Sequence, residues 1–125
     1  MNVYELQYTE EMQLPEGQAY SLAIGFFDGL HKGHQAVIQT AIEKAERLNI
    51  QSAVMTFDPH PSHVLGGGKK KVGYITPHEE KVAVLTELGV DALFVIRFNK
   101  ELAALSPEAF VDTFIKRLNV QHVDA

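Results

Sequence analysis

Tyr20-Ser21-Leu22-Ala23-Ile24-Gly25-Phe26-Phe27-Asp28-Gly29-Leu30-His31-Lys32-Gly33-His34 is the stretch on which the fold turns. Residues 20–27 form a short, nearly continuous apolar run, the pattern of a strand covered on both faces. Asp28–His34 breaks it with two glycines. From Gln35 the period changes: Val37, Ile38, Ala41, Ile42, Ala45 and Leu48 recur at three- and four-residue steps, so a helix is expected there, stopping at Asn49. Strand, glycine-bearing turn and helix in that order make an anion site, because the first N–H groups of a helix have no partner within it.

Working outward, the same alternation repeats. Ser52–Phe57 reads as a second strand, ended by Asp58-Pro59-His60-Pro61, where two prolines forbid continuation. A long loop follows through Gly66-Gly67-Gly68-Lys69-Lys70-Lys71. Thr76-Pro77-His78-Glu79 opens a helix with an N-cap and a proline at its first position; Val82, Val84, Leu85 and Leu88 form its stripe, and Gly89 ends it. Ala92–Ile96 is a third strand. Ser106-Pro107-Glu108-Ala109 opens a further helix with Phe110, Phe114 and Leu118 as its buried face, and Val120–Val123 is a fourth strand. The segment before Ser21 carries no usable motif.

This order predicts one α/β domain over residues 1–125, a Rossmann-like parallel sheet with helical crossovers. Ligands in such sheets sit at the carboxyl ends of the strands, which brings residues 25–34 and 58–63 side by side. Composition narrows the classes. The 125 residues are 46% apolar, enough for one core, and the formal charge of -5 makes a poor nucleic-acid binder. With no cysteine, disulfides and thiolate metal sites are excluded. No apolar run approaches the ~20 residues of a membrane span and no signal peptide is visible, so a cytoplasmic location is expected.

His31 and His34 are the candidate catalytic residues. Three apart at a helix start, they can donate to phosphate oxygens and stabilise charge that grows in a transition state. An H-x-x-H pair could also ligate a metal, with a third ligand from elsewhere. The candidate nucleotide-binding set is Gly25, Phe26, Phe27, Asp28, Gly29, His31, Gly33 and His34. No Gly-Lys-Ser/Thr follows, so this is not a Walker loop.

The string GxFDGxHxGH resembles the signature of the nucleotidyltransferase superfamily, in which the two histidines contact a nucleotide triphosphate. Met55-Thr56-Phe57-Asp58-Pro59-His60-Pro61, Ile75-Thr76-Pro77 with Glu80-Lys81, Leu105–Val111 and Leu118–Val123 resemble, in order and spacing, the FMN adenylyltransferase module of bacterial FAD synthetase, often fused to a riboflavin kinase. Phe27 stands where many members carry Asn.

The resemblance implies a fold of nucleotidyltransferase type and transfer of AMP from ATP to FMN, giving FAD and pyrophosphate, with Mg²⁺ accompanying ATP and no metal ligand firmly assigned. It makes Phe57, Asp58, Pro59, His60, Pro61 and Arg97 candidates for the FMN and ATP pocket. Asp58 and His60 could meet phosphate, ribose or a hydrated magnesium ion. Arg97 could meet a phosphate or Glu101. The glycine–lysine loop is either a solvated loop or a flap over the phosphates. His63, His78 and His122 are taken as structural or surface residues, and Phe110, Phe114, Leu85 and Leu88 as core. Members continue past this fourth strand, so the chain is expected to be a C-terminally incomplete FMN adenylyltransferase domain without a riboflavin kinase domain, weak in binding and slow in turnover. The alternatives are a catalytically silent nucleotide-binding fragment or another nucleotidyltransferase, such as a cytidylyltransferase.

Overall fold

The computed structural model describes residues 1–8, 17–27, 32–58 and 78–125. Its elements are β1 (Asn2–Gln7), β2 (Tyr20–Ile24), α1 (Lys32–Leu48), β3 (Gln51–Asp58), α2 (His78–Leu88), β4 (Ala92–Arg97), α3 (Lys100–Ala103), α4 (Pro107–Phe110) and β5 (Val120–Asp124). α4 runs on through a wider π-helical turn, Val111–Ile115, closed by the Lys116 N–H donating to the Val111 carbonyl at 3.0 Å.

The five strands form one sheet in the order β1-β4-β3-β2-β5, and every neighbouring pair is parallel. Side chains alternate between its faces, and each face has its own core. Leu22, Ala53, Met55, Ala92, Phe94 and Ile96 pack with Leu102, Phe114 and Leu118 on one side. Ala23, Val54, Leu93 and Val95 pack with Ile38, Ala41, Ile42 and Leu85 on the other. This double burial is why the three central strands read as unbroken apolar runs. Tyr20, at 1% exposure, meets Phe94 edge-on at 5.3 Å. Burial, with Tyr4 adding to it, raises its phenol above the ordinary 10.0.

The α/β reading is met, with corrections. The sheet has a fifth strand, β1, from the segment that carried no usable motif. As an edge strand it buries only Leu6 fully, so its sequence lacks an apolar run; Tyr4 stacks on Phe94 at 5.2 Å. β2 ends at Ile24 rather than Phe27, because Phe27 takes φ 53° and turns the chain. α1 begins at Lys32, before Gln35. The expected ends of α1 and α2 hold: Asn49 and Gly89 both adopt positive φ, 54° and 97°. Ser106 caps α4, its side chain accepting from the Ala109 N–H at 3.1 Å. The single helix expected from Ser106 is widened at Val111, and the short α3, capped by Asn99, is additional.

Between β2, β3 and β4 the chain steps across the sheet in one direction. It then crosses back to place β5 on the far side of β2, so the order reverses at β2. Such a reversal opens a crevice at the carboxyl ends of the strands.

Phe94 is fully buried and touches Tyr4 and Tyr20. Phe94→Ala should destabilise the chain by about 3–5 kcal/mol, whereas Val123→Ala on exposed β5 should stay within about 1 kcal/mol. Urea unfolding of both variants checks this.

Candidate active site

The crevice is built from the ends of β2, β3 and β4. After Ile24 the chain stays on the sheet for one more residue, the Gly25 N–H donating to the Met55 carbonyl at 3.1 Å. A Cβ on Gly25 would lie 3.1 Å from Cζ and 3.3 Å from Cε1 of Phe27, tighter than ordinary contact. Glycine lets the Phe27 ring fold back over the backbone here without having to give way. Phe27 has left-handed φ, a conformation costing a non-glycine residue roughly 1–2 kcal/mol. Its 4% exposed ring, packed in the core of that face, offsets this. Asn enters left-handed backbone more readily than Phe. Phe27 meets the same backbone demand by burial.

The Phe27 ring lies edge-on to the His34 imidazole, centroids 5.5 Å apart at 88°. His34, half-buried, sits in the first turn of α1 beside exposed Gly33. The 17-residue α1 carries no acidic side chain in its first turn to neutralise the positive end of its dipole. Its buried stripe, Ile38, Ala41, Ile42 and Ala45, lays it on the sheet, and Ser21 ties it there by donating to the Ala41 carbonyl at 2.8 Å. The structure thus brings Gly25, Phe26, Phe27, Gly33 and His34 together. Asp28, Gly29, Leu30 and His31 lie outside the described residues.

A second surface adjoins this turn. A cavity of about 340 Å³ is lined by Ile24, Phe57, Phe98, Leu102, Leu105, Ser106, Pro107 and Phe110, among others. Its walls are aromatic: Phe57 stands 6.3 Å from Phe98 and 6.1 Å from Phe110. Phe26, 41% exposed, contacts Phe57 at 5.4 Å and so connects the cavity to the turn.

Of the expected pocket residues, Phe57 lines this cavity. Asp58 and Arg97 are register partners at the exposed ends of β3 and β4. Pro59, His60 and Pro61 lie outside the described residues, as do His63, the glycine–lysine loop, the Thr76-Pro77 cap and the side chain of His78. His122 bonds Asp124 at 2.8 Å on β5, in keeping with a structural role. Phe114 is core as expected, and Phe110, 5.0 Å away and half-buried, packs against that core while also lining the cavity. That Phe98 and Phe110 line the cavity was not read from the sequence, because a phenylalanine on a helix or beside a strand end reads as core. Lys81, quoted within a motif but given no role, is buried, and its Nζ donates to the Phe26 carbonyl at 3.4 Å.

No group of three or more His, Cys, Asp or Glu side chains placed to hold a metal occurs among the described residues. Asp58 stands at the carboxyl end of β3.

A doubly covered parallel sheet whose strand order reverses at β2, with a strand–turn–helix unit at that point, is an α/β domain of the nucleotidyltransferase-like fold. The family model for FAD synthetase matches residues 14–125, and the chain belongs to that family. It is 51% identical over 104 residues to a bifunctional riboflavin kinase/FMN adenylyltransferase of Listeria monocytogenes, an overlap of 83% of this chain and 33% of the relative. The Bacillus subtilis protein of the same name is 50% identical over 113 residues, 90% of this chain and 36% of the relative. The chain therefore spans about a third of the length of these relatives. A solved structure described as a macrolide-efflux protein from Streptococcus pneumoniae superposes with a TM-score of 0.79 at 26% identity, covering 97% of this chain and 40% of the other. Its description belongs to that protein; among the described residues here no helix is long and apolar enough to cross a membrane.

Gly25→Ala tests the close approach. The added methyl has to displace the buried Phe27 ring, so a loss of about 1–3 kcal/mol in urea unfolding is expected, with altered His34 ring signals in NMR spectra.

Proposed function

We propose that this chain carries the adenylyl-transfer site of an FAD synthetase, moving AMP from ATP to the phosphate of FMN. The observation that carries the reading is the adjacency of two chemically different surfaces on one sheet edge. A helix N-terminus with His34 suits a polyphosphate, and an aromatic cavity suits a flat ring system. Phe26 and Phe57 join them. A nucleotide's phosphates bound at the first would lie next to a flavin bound at the second.

In this reading a phosphate oxygen of FMN attacks the α-phosphorus of ATP, the bond to the β-phosphate breaks, and pyrophosphate leaves. The FMN phosphate is already anionic near neutral pH, so the protein's task is alignment and neutralisation of charge rather than proton removal. His34, His31 and the N–H groups at the start of α1 stabilise the charge growing on the leaving pyrophosphate. Gly25–Phe27 let the phosphates approach the backbone. Phe57, Phe98 and Phe110 hold the flavin, and Asp58 and Arg97 at the neighbouring strand ends order the phosphate and ribose groups between the two surfaces. Asp58 would help to hold a Mg²⁺ ion accompanying ATP, which would supply further neutralisation of phosphate charge.

The relatives' names also include a riboflavin kinase; the reading assigns none of residues 1–125 to it. It also carries a cytoplasmic location, where ATP and FMN are available.

His34→Ala should weaken Mg·ATP binding or FAD formation by roughly 1–4 kcal/mol, the scale of losing one donor to a charged oxygen. Phe110→Ala should instead weaken FMN binding, by about 1–3 kcal/mol, with a smaller effect on ATP. Titrations followed by NMR, with FAD formation read by fluorescence, separate the two. Equal effects of both variants on both ligands contradict the two-surface reading.

FAD formation should also require a divalent cation. Turnover at an undiminished rate in excess chelator contradicts the role given to Mg²⁺.

A further inference from the structure

The buried polar and charged side chains among the described residues are Ser21, Ser52, Thr56 and Lys81. Ser21 and Ser52 act locally: Ser21 ties α1 to β2, and Ser52 bonds Asp91 at the opposite end of the sheet. Lys81 differs. An ammonium group at 6% exposure is expensive to place unless it serves as a donor to something fixed. It sits in the first turn of α2 and reaches the Phe26 carbonyl, 3.4 Å from its Nζ. Thr56 Oγ1, from β3, donates to the same oxygen at 2.9 Å.

One carbonyl oxygen thus takes donors from two separate elements. That oxygen belongs to the peptide joining Phe26 to Phe27. Holding its plane sets the backbone at Phe27, the residue with φ 53°. The Phe27 ring in turn lies edge-on to His34. The contacts form a continuous path: Lys81 and Thr56, the Phe26 carbonyl, the left-handed Phe27, the His34 imidazole. Without the two donors, the Phe26–Phe27 peptide could rotate toward less strained backbone and carry the Phe27 ring off His34.

We propose that Lys81 is a positioning residue of the phosphate site: with Thr56 it holds the Phe26 carbonyl, and through Phe27 it fixes the imidazole of His34. Its link to nucleotide binding rests on the function proposed above; its hold on His34 does not.

Two readouts separate these parts. The first is the set of His34 ring resonances in the chain without nucleotide, with the His122 ring as internal reference. Lys81→Met keeps the stem length and removes the donor and its charge. It should shift the His34 resonances, leave those of His122 in place, and weaken Mg·ATP binding roughly tenfold, the scale of one hydrogen bond from a charged group. Thr56→Val, a nearly isosteric change, should shift the same His34 resonances, and Thr56→Ser, which keeps the hydroxyl, should return them to their wild-type positions. If Lys81→Met does not fold, Lys81→Gln, a shorter uncharged donor, takes its place and should shift the same His34 resonances.

Unmoved His34 resonances in the folded variants lacking either donor overturn the proposal. So does a shift of His34 in Lys81→Met with unchanged affinity for Mg·ATP. A wild-type chain that ignores Mg·ATP altogether would sink the nucleotide reading instead, while the His34 resonances would still report on Lys81.

Discussion

The parallel sheet is buried on both faces, and the rest of the molecule follows from that. Each central strand must supply apolar side chains up and down, as Leu22 and Ala23, Ala53 and Val54, and Leu93 and Phe94 do. Helices must then cover both sides, with α1 and α2 on one face and the α3–α4 segment on the other. Neighbouring strands all run the same way, so their carboxyl ends collect along one edge. Polar chemistry excluded from the faces can gather there. Gly25–Phe27, Gly33, His34, Asp58, Arg97 and the aromatic cavity all lie at strand ends on that edge.

Within the edge, the turn after β2 is the most constrained element. Gly25 accepts the Phe27 ring because it has no Cβ, Phe27 accepts left-handed backbone because its ring is buried, and the Phe26 carbonyl is held by Thr56 and Lys81. Strain of this kind persists only where surrounding contacts over-determine it. Here they come from β3, α1 and α2, the three elements packed around the turn. A turn held by this many contacts is set by packing, which suits the alignment that the proposed reaction requires.

The central strands and α1 were legible in the sequence because double burial writes itself as unbroken apolar runs and a 3.6-residue stripe. β1 was not, since an edge strand such as Asn2–Gln7 needs only one fully buried residue, Leu6, to pair with β4. The widened turn at Val111–Ile115 leaves no periodic trace over so few residues. At the candidate site, the placing of His34, Gly25 and Gly33 beside the turn was legible through motif and spacing. Phe98 and Phe110 were not, because an aromatic lining a cavity and one filling a core share the same local pattern. Lys81 was hidden for a different reason: its burial depends on α2 packing against the turn, a contact between residues 55 positions apart. Phe27 read as strand, since its left-handed turn comes from packing and not from residue type.

The most direct measurement is a pair of ¹H–¹⁵N NMR titrations of the chain, one with Mg·ATP and one with FMN. The account predicts that Mg·ATP perturbs amides centred on Gly25, Phe27, Gly33 and His34. FMN should perturb those of Phe57, Phe98 and Phe110, the two sets meeting at Phe26. Perturbations centred instead on the opposite edge of the sheet, around Ser52 and Asp91, or a single set common to both ligands, would contradict it.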